Sequence, residues 1–133
     1  MNIIKEIKSL NLPFGKYAVF GSGPLHIHGI RETTDVDIVV LPEIYNQLKR
    51  SGWVEKSWES GPPGRYLQLG NIEIVDNWKY GEYNPDPLEI ISNAEIIHGI
   101  PFVRLEEVLK WKRVFGREKD KKDIKLIEEF LKR

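Results

Sequence analysis

Residues 19–40 read Val19-Phe20-Gly21-Ser22-Gly23-Pro24-Leu25-His26-Ile27-His28-Gly29-Ile30-Arg31-Glu32-Thr33-Thr34-Asp35-Val36-Asp37-Ile38-Val39-Val40. An apolar strand, Tyr17 to Phe20, breaks at Gly21-Ser22-Gly23-Pro24. A short apolar segment and a polar turn follow, and a second strand opens on Asp35-Val36-Asp37. Strand side chains alternate, so Asp35 and Asp37 share one face while Val36 and Ile38 point the other way, into a core. Two acids side by side repel each other and are costly to bury unless something neutralises them. A divalent cation is the usual answer, and an all-oxygen donor set suits magnesium or manganese.

The other end of the stretch supplies a complement. Ser22 suits an N-cap and Pro24 the first helical turn, where its missing N–H costs nothing. Residues 22–29 therefore read as a short helix whose N-terminus opens at a glycine-rich turn. Free backbone N–H groups and the positive end of the helix dipole make an anion site there.

Gly-Ser, a spacer of a dozen residues, then Asp-hydrophobic-Asp-hydrophobic resembles the signature of the nucleotidyltransferase superfamily, the polymerase-beta-like transferases. The run from Leu25 to Asp37 is similar to the smaller prokaryotic branch, which includes minimal nucleotidyltransferases and toxin components of abortive-infection toxin–antitoxin systems. The resemblance implies an α/β (α+β) fold with a mixed central β-sheet and flanking helices. It also implies a catalytic and metal-binding set built on Asp35 and Asp37, with Mg2+ or Mn2+ as cofactor. Gly21, Ser22, Gly23 and Arg31 would bind the phosphates of a nucleoside triphosphate such as ATP. Other phosphate motifs fit worse. The third glycine of a dinucleotide fingerprint is replaced by His26, no Gly-Lys-Ser/Thr is present, and Asp37 runs into a hydrophobic strand rather than a calcium loop.

The chain of 133 residues reads as a single domain, residues 1–133, closed by a C-terminal helical pair over 104–132. Hydrophobic residues make up 41% and charged residues 30%, as in soluble globular proteins. Lys plus Arg equals Asp plus Glu, which argues against a protein living on the general electrostatics of nucleic acid. With no cysteine there is no disulfide, thiolate zinc site or cysteine nucleophile. The N-terminus lacks the apolar core of a signal peptide and no apolar run reaches membrane-spanning length, so a cytoplasmic protein is expected.

Ile3, Ile4, Ile7 and Leu10 predict an amphipathic helix over 2–11. Strands are expected at 16–21, 35–41, 53–58, 65–70 and 72–77, with a helix over 42–51 that Pro42 opens and Gly52 ends. Gly61-Pro62-Pro63-Gly64 is a turn or loop. Gly70-Asn71 joins two strands into a hairpin. In the second of these strands Ile72 and Ile74 share a face and Glu73 takes the other. The superfamily places its third carboxylate in such a pattern, so Glu73 ranks first for that role and Asp76, on the Ile72/Ile74 face, second. Residues 77–87 read as a loop whose Trp78, Tyr80 and Tyr83 either cover the core edge or stack on a base or acceptor. A short helix from Pro87 to Asn93 and a strand pair around His98-Gly99 follow.

Helices are expected over 104–115 and 118–132. Leu105, Val108, Leu109, Lys112 and Phe115 fall on one face, making Lys112 a cation on an apolar stripe. It is either a lysine snorkelling from the core rim or paired with an acid, or, as the resemblance implies, a group that approaches the nucleotide phosphates. Asp120 and Asp123 continue the face of Ile124 and Ile127. Helix capping by Asp120 with a salt bridge to Arg117 competes there with a resemblance to the family's helical tail.

The implied reaction is nucleotidyl transfer, in which an acceptor hydroxyl attacks the α-phosphorus and pyrophosphate leaves. Two metal ions about 3.5–4 Å apart would clamp the reacting oxygens on Asp35, Asp37 and Glu73, with Glu73 available as base. His28 reads as packed, and Arg31 is expected to pair with Asp35 when no metal is bound. Glu at the third position, where Asp is commoner, and Pro24 in the turn depart from the family pattern. The acceptor stays open among a protein hydroxyl, an RNA end and a small molecule. The competing class is a non-catalytic nucleotide-binding or toxin–antitoxin interaction module, partnered by a small protein or a second copy of the chain.

Overall fold

The computed structural model describes residues 2–57, 64–77, 79 and 82–133. The expectations for Trp78, Tyr80 and most of the Gly61–Gly64 turn, and the end of the strand expected to reach residue 58, lie outside them. In chain order the elements are α1 (Ile3–Ser9), β1 (Tyr17–Phe20), α2 (Gly23–Ile27), β2 (Val36–Val40), α3 (Pro42–Arg50), β3 (Val54–Ser57), β4 (Arg65–Leu69) and β5 (Ile72–Val75). Then come α4 (Pro87–Ser92), β6 (Glu95–Ile97), β7 (Ile100–Phe102), α5 (Leu105–Phe115) and α6 (Glu118–Leu131). No described helix is long and apolar enough to cross a membrane.

The strands form one seven-stranded mixed sheet in the order β3-β4-β5-β2-β1-β7-β6. Strands β1 and β2, joined through α2, are antiparallel, as are the sequence neighbours β3–β4, β4–β5 and β6–β7, while β2 runs parallel to β5 and β1 parallel to β7. Alternation along β2 sorts the two faces. Val36, Ile38 and Val40 pack with Ile72, Ile74 and Leu67 under Ile3 and Ile7 of α1 and Ile44 and Tyr45 of α3. Val39, Val75, Ala18 and Phe20 face the other way, under Ile90 and Ile91 of α4, Val108 and Trp111 of α5 and Ile127 of α6. Helices therefore cover both faces, and each strand of the centre carries apolar side chains on both sides, as β2 does at Val36 and Val39.

Two registers bring the charged residues together. The first is antiparallel and sets Phe20 at the end of β1 against Asp37. The second is parallel and sets Asp37 against Glu73. The β4–β5 turn helps to fix the second: the Asn71 carbonyl accepts from Val36 N–H at 3.0 Å, and the Asn71 side chain donates to the Thr34 carbonyl at 2.6 Å. A one-residue slip would send Glu73 to the wrong face.

Candidate active site

Asp37 and Glu73 occupy the α5 side of the sheet, at the end where β1 gives way to the Gly21-Ser22-Gly23 turn. The register pairs the two residues, and the Glu73 carboxyl acts on that of Asp37. Burial pushes the Asp37 carboxyl up to about 7; the charge and hydrogen bond of Glu73 and the charge of Asp35 add to this, while Lys112 draws it back down. Two carboxyls in contact must share a proton or a cation at neutral pH.

Gly21 is required beside this pair. Its φ is +67°, a region that L side chains avoid, and a Cβ there would stand 2.6 Å from Asp37 Oδ2. Gly23 is required for packing, since its Cβ would meet Val19 Cγ1 at 2.4 Å as α2 folds down on β1.

The α2 segment itself is shorter than expected, five residues rather than the span 22–29. Ser22 holds the N-cap position, and its carbonyl accepts from His26 N–H at 3.0 Å, but its side chain makes no capping bond. So short a helix carries little dipole, which shifts the anion-site expectation from the helix to the side chains beside it. The Ser22 Oγ instead accepts from Arg31 Nη2 at 2.9 Å.

Arg31 does not pair with Asp35. It grips Asp123 of α6 with two parallel bonds, Nε to Oδ1 at 2.7 Å and Nη2 to Oδ2 at 2.9 Å, and Nη1 donates to the Glu32 carbonyl at 3.0 Å. The guanidinium fork matches a carboxylate, and the Asp123 side chain lies within the folded interior, whereas Asp35 is exposed. Lys112 is buried and is not a free cation on the rim. Its Nζ lies 3.0 Å from Asp123 Oδ2 and 3.4 Å from Asp120 Oδ1, and 5.5 Å from the centre of the Trp111 ring. Asp120 caps α6 by accepting from Arg117 N–H at 3.2 Å and holds the Arg117 side chain at 2.7 Å. Thus the capping and salt-bridge expectation for Asp120 holds, and the acid-paired alternative for Lys112 holds with it.

Arg31, Lys112, Arg117, Asp120 and Asp123 form one chain of charges, with Lys112, Asp120 and Asp123 buried and the two arginines half-buried at its ends. Burial alone would raise Asp120 and Asp123, but hydrogen bonds from Arg117 and Arg31 respectively, with the charge of Lys112, hold both below the usual carboxylate range. The link from Arg31 to Asp123 spans 92 residues, beyond the reach of any local sequence pattern. The placement of Asp123 on the inner face of α6 was the only available hint.

Asp76 lies on the opposite face of the sheet, as alternation predicts. It is buried and accepts from Arg65 Nη2 at 2.9 Å, and the Arg65 guanidinium sits 4.4 Å from the centre of the Tyr45 ring. It is spoken for by Arg65, away from Asp37. His28 packs as expected, with Nε2 3.1 Å from Glu95 Oε2 and its ring 5.4 Å from that of Phe130. Tyr83 packs at the edge of the core and donates to Glu107, and it also lines a cleft of about 600 Å³ beside α4 and the start of α5. That cleft does not include the acid pair.

The three-carboxylate shell is not assembled as expected. Among the described residues no three Asp, Glu or His side chains converge closely enough to hold a metal ion. What the fold assembles is a pair, Asp37 with Glu73, and an exposed Asp35 one strand step away on the same face. The donor chemistry still fits a divalent cation. All the donors are carboxylate oxygens, and burial with their crowding raises the Asp37 carboxyl to about 7.

No protein-family profile matches the chain, and no curated protein matches it. Among solved structures, it is similar to a crystal structure of ANT(2")-Ia in complex with adenylyl-2"-tobramycin. The TM-score is 0.51 at 16% sequence identity, over 97% of this chain and 85% of that one. The likeness establishes the fold as nucleotidyltransferase-like, with a mixed sheet flanked by helices.

Proposed function

We propose that this protein is a metal-dependent nucleotidyltransferase that moves a nucleoside monophosphate from a nucleoside triphosphate to an acceptor hydroxyl. The observation that carries this is the Asp37–Glu73 contact beside the Gly21-Ser22 turn, within a nucleotidyltransferase-like fold. ANT(2")-Ia holds a product in which an adenylyl group is joined to tobramycin. A nucleoside monophosphate joined to an acceptor is the same kind of product.

Asp37 and Glu73, with Asp35 at the edge, would hold magnesium or manganese, which when bound neutralises charge at the reacting phosphate. The chain's own residues do the rest. Backbone N–H groups of the Gly21–Gly23 turn and the Ser22 hydroxyl hold the β- and γ-phosphates, and Pro24 offers no N–H there. Arg31 and Lys112 lend positive potential from behind. Glu73 takes the proton of the acceptor hydroxyl as its oxygen attacks the α-phosphorus and the bond to the bridging oxygen breaks, releasing pyrophosphate. Positioning and electrostatics supply most of the rate in such a reaction.

The exposed position of Asp35 favours a second reading, a non-catalytic nucleotide-binding or toxin–antitoxin interaction module that retains the fold. Pyrophosphate release from each of the four ribonucleoside triphosphates with magnesium separates the two. Transfer of an α-labelled nucleotide to components of a cell lysate then shows whether the acceptor is protein, RNA or a small molecule.

A further inference from the structure

We propose that Asp123 is a positioning residue for the triphosphate, acting on Ser22 through Arg31. The inference rests on the nucleotidyltransferase reading and names a part of that site which no local sequence pattern reveals.

Four of the five N–H donors of Arg31 are engaged: Nε with Asp123, Nη2 with Asp123 and Ser22, and Nη1 with the Glu32 carbonyl. A guanidinium so committed has little left to offer a phosphate directly. Its contribution passes through Ser22. Because Ser22 Oγ accepts from a cation at 2.9 Å, its own hydrogen must donate elsewhere, and a hydroxyl that accepts from a cation is a stronger donor. Ser22 sits in the turn between Gly21, beside Asp37, and Gly23, packed on Val19, so an anion at the turn would meet that hydrogen.

Asp123 fixes the geometry. It is 5% exposed, and each of its oxygens is used: Oδ1 by Arg31 Nε, and Oδ2 by both Arg31 Nη2 and Lys112 Nζ at 3.0 Å. Asp120, fully buried, holds Lys112 from the other side at 3.4 Å and is itself held by Arg117. One carboxylate on α6 therefore sets the position of two cations near the acid pair and the direction of one hydroxyl. A helix packed only for stability would not need a buried carboxylate shared between Arg31 and Lys112, since apolar residues of similar volume are often as stabilising as a buried ion pair.

The test is binding of ATP and of inorganic tripolyphosphate, each with magnesium, to Ser22→Ala, Asp123→Asn and the double variant by calorimetry, with circular dichroism to establish folding. Each single substitution is expected to weaken tripolyphosphate about tenfold, the worth of one charge-assisted hydrogen bond. The double variant should be no worse than the weaker single one, because both remove the same contact. Should Asp123→Asn fail to fold, Arg31→Lys replaces it. It keeps the charge but cannot hold Asp123 and Ser22 at once, and the same loss and the same non-additivity with Ser22→Ala are expected. The proposal is overturned if Asp123→Asn, or Arg31→Lys in its place, lowers the melting temperature but leaves affinity within about twofold, or if its effect multiplies with that of Ser22→Ala. If transfer depends on Asp37 while these variants bind normally, the enzyme reading stands and the relay falls. If the wild type binds neither ligand, both fall.

Discussion

Asp37 and Glu73 stand opposite each other on parallel neighbours β2 and β5, and burial, reinforced by the Glu73 carboxyl, raises the affinity of Asp37 for a proton. In the unfolded chain the two acids are separate and ionise independently. Folding therefore forces them together, and the cost of that contact depends on pH.

Asp37→Asn should stabilise the fold at neutral and alkaline pH. The Asp37 pKa rises from 3.8 to about 7 on folding, so the folded state holds the proton more tightly. The contribution of Asp37 to stability is fully present below the unfolded pKa and declines as pH rises through about 7. Asparagine removes that decline, for a gain on the order of 1–3 kcal/mol at pH 8 and little at pH 4. Thermal unfolding of both proteins at the two pH values measures it, and a smaller gain at pH 8 than at pH 4 would contradict the shared-proton contact.

Lys112→Ala should destabilise severely. It strands Asp120 and Asp123, 0% and 5% exposed, with one cation fewer, and breaking a buried pair by removing one partner costs roughly 3–5 kcal/mol. A urea titration that shows less than about 1 kcal/mol would return Lys112 to the role of a rim residue. The same network makes the protein acid-labile. Asp120 and Asp123 have depressed pKa values, so their contribution is present above the ordinary carboxylate range and is lost as pH falls through the folded values. Wild-type melting temperature should drop steeply below about pH 4.

Glu73→Gln and Asp76→Asn should part company. Glu73 touches Asp37, whereas Asp76 pairs with Arg65 under the other face. Transfer should fall by roughly 10³-fold in the first and by less than about threefold in the second, which loses stability instead. Equal losses of turnover would mean that the third acid was misplaced.

Gly21→Ala should cost both stability and activity. The left-handed backbone at φ +67° costs about 1 kcal/mol for alanine, and the new methyl would displace the Asp37 carboxylate that it meets at 2.6 Å. Retained turnover with an unchanged melting temperature would show that the turn is not pressed against Asp37.

Much of this was legible because it is local. Alternation along Asp35–Val40 placed Val36 and Ile38 in one core and Asp37 on the other face, and the same rule separated Glu73 from Asp76. Gly70-Asn71 announced the hairpin, and the spacing of Leu105, Val108 and Leu109 the buried face of α5. What was not legible is non-local. Nothing near Glu73 says that β5 lies parallel to β2, a pairing across more than 30 positions of chain. Arg31 sits four positions from Asp35 in the chain, so proximity suggested that partner, but the turn carries its guanidinium to α6, where a buried carboxylate outcompetes an exposed one. The spacing puts Lys112 on an apolar stripe, yet its two acid partners come from the next helix, and the packing of α6 on α5 reveals them.

The most direct measurement is magnesium-dependent release of pyrophosphate from nucleoside triphosphates by the wild type and by Asp37→Asn, with folding of both established by circular dichroism. Release by the wild type that falls by about 10³-fold or more in the folded variant is the predicted result. Equal release by the two proteins, or none from the wild type with any of the four ribonucleoside triphosphates and a lysate as source of acceptor, would contradict the assignment of Asp37 and Glu73 as the centre of a nucleotidyltransferase.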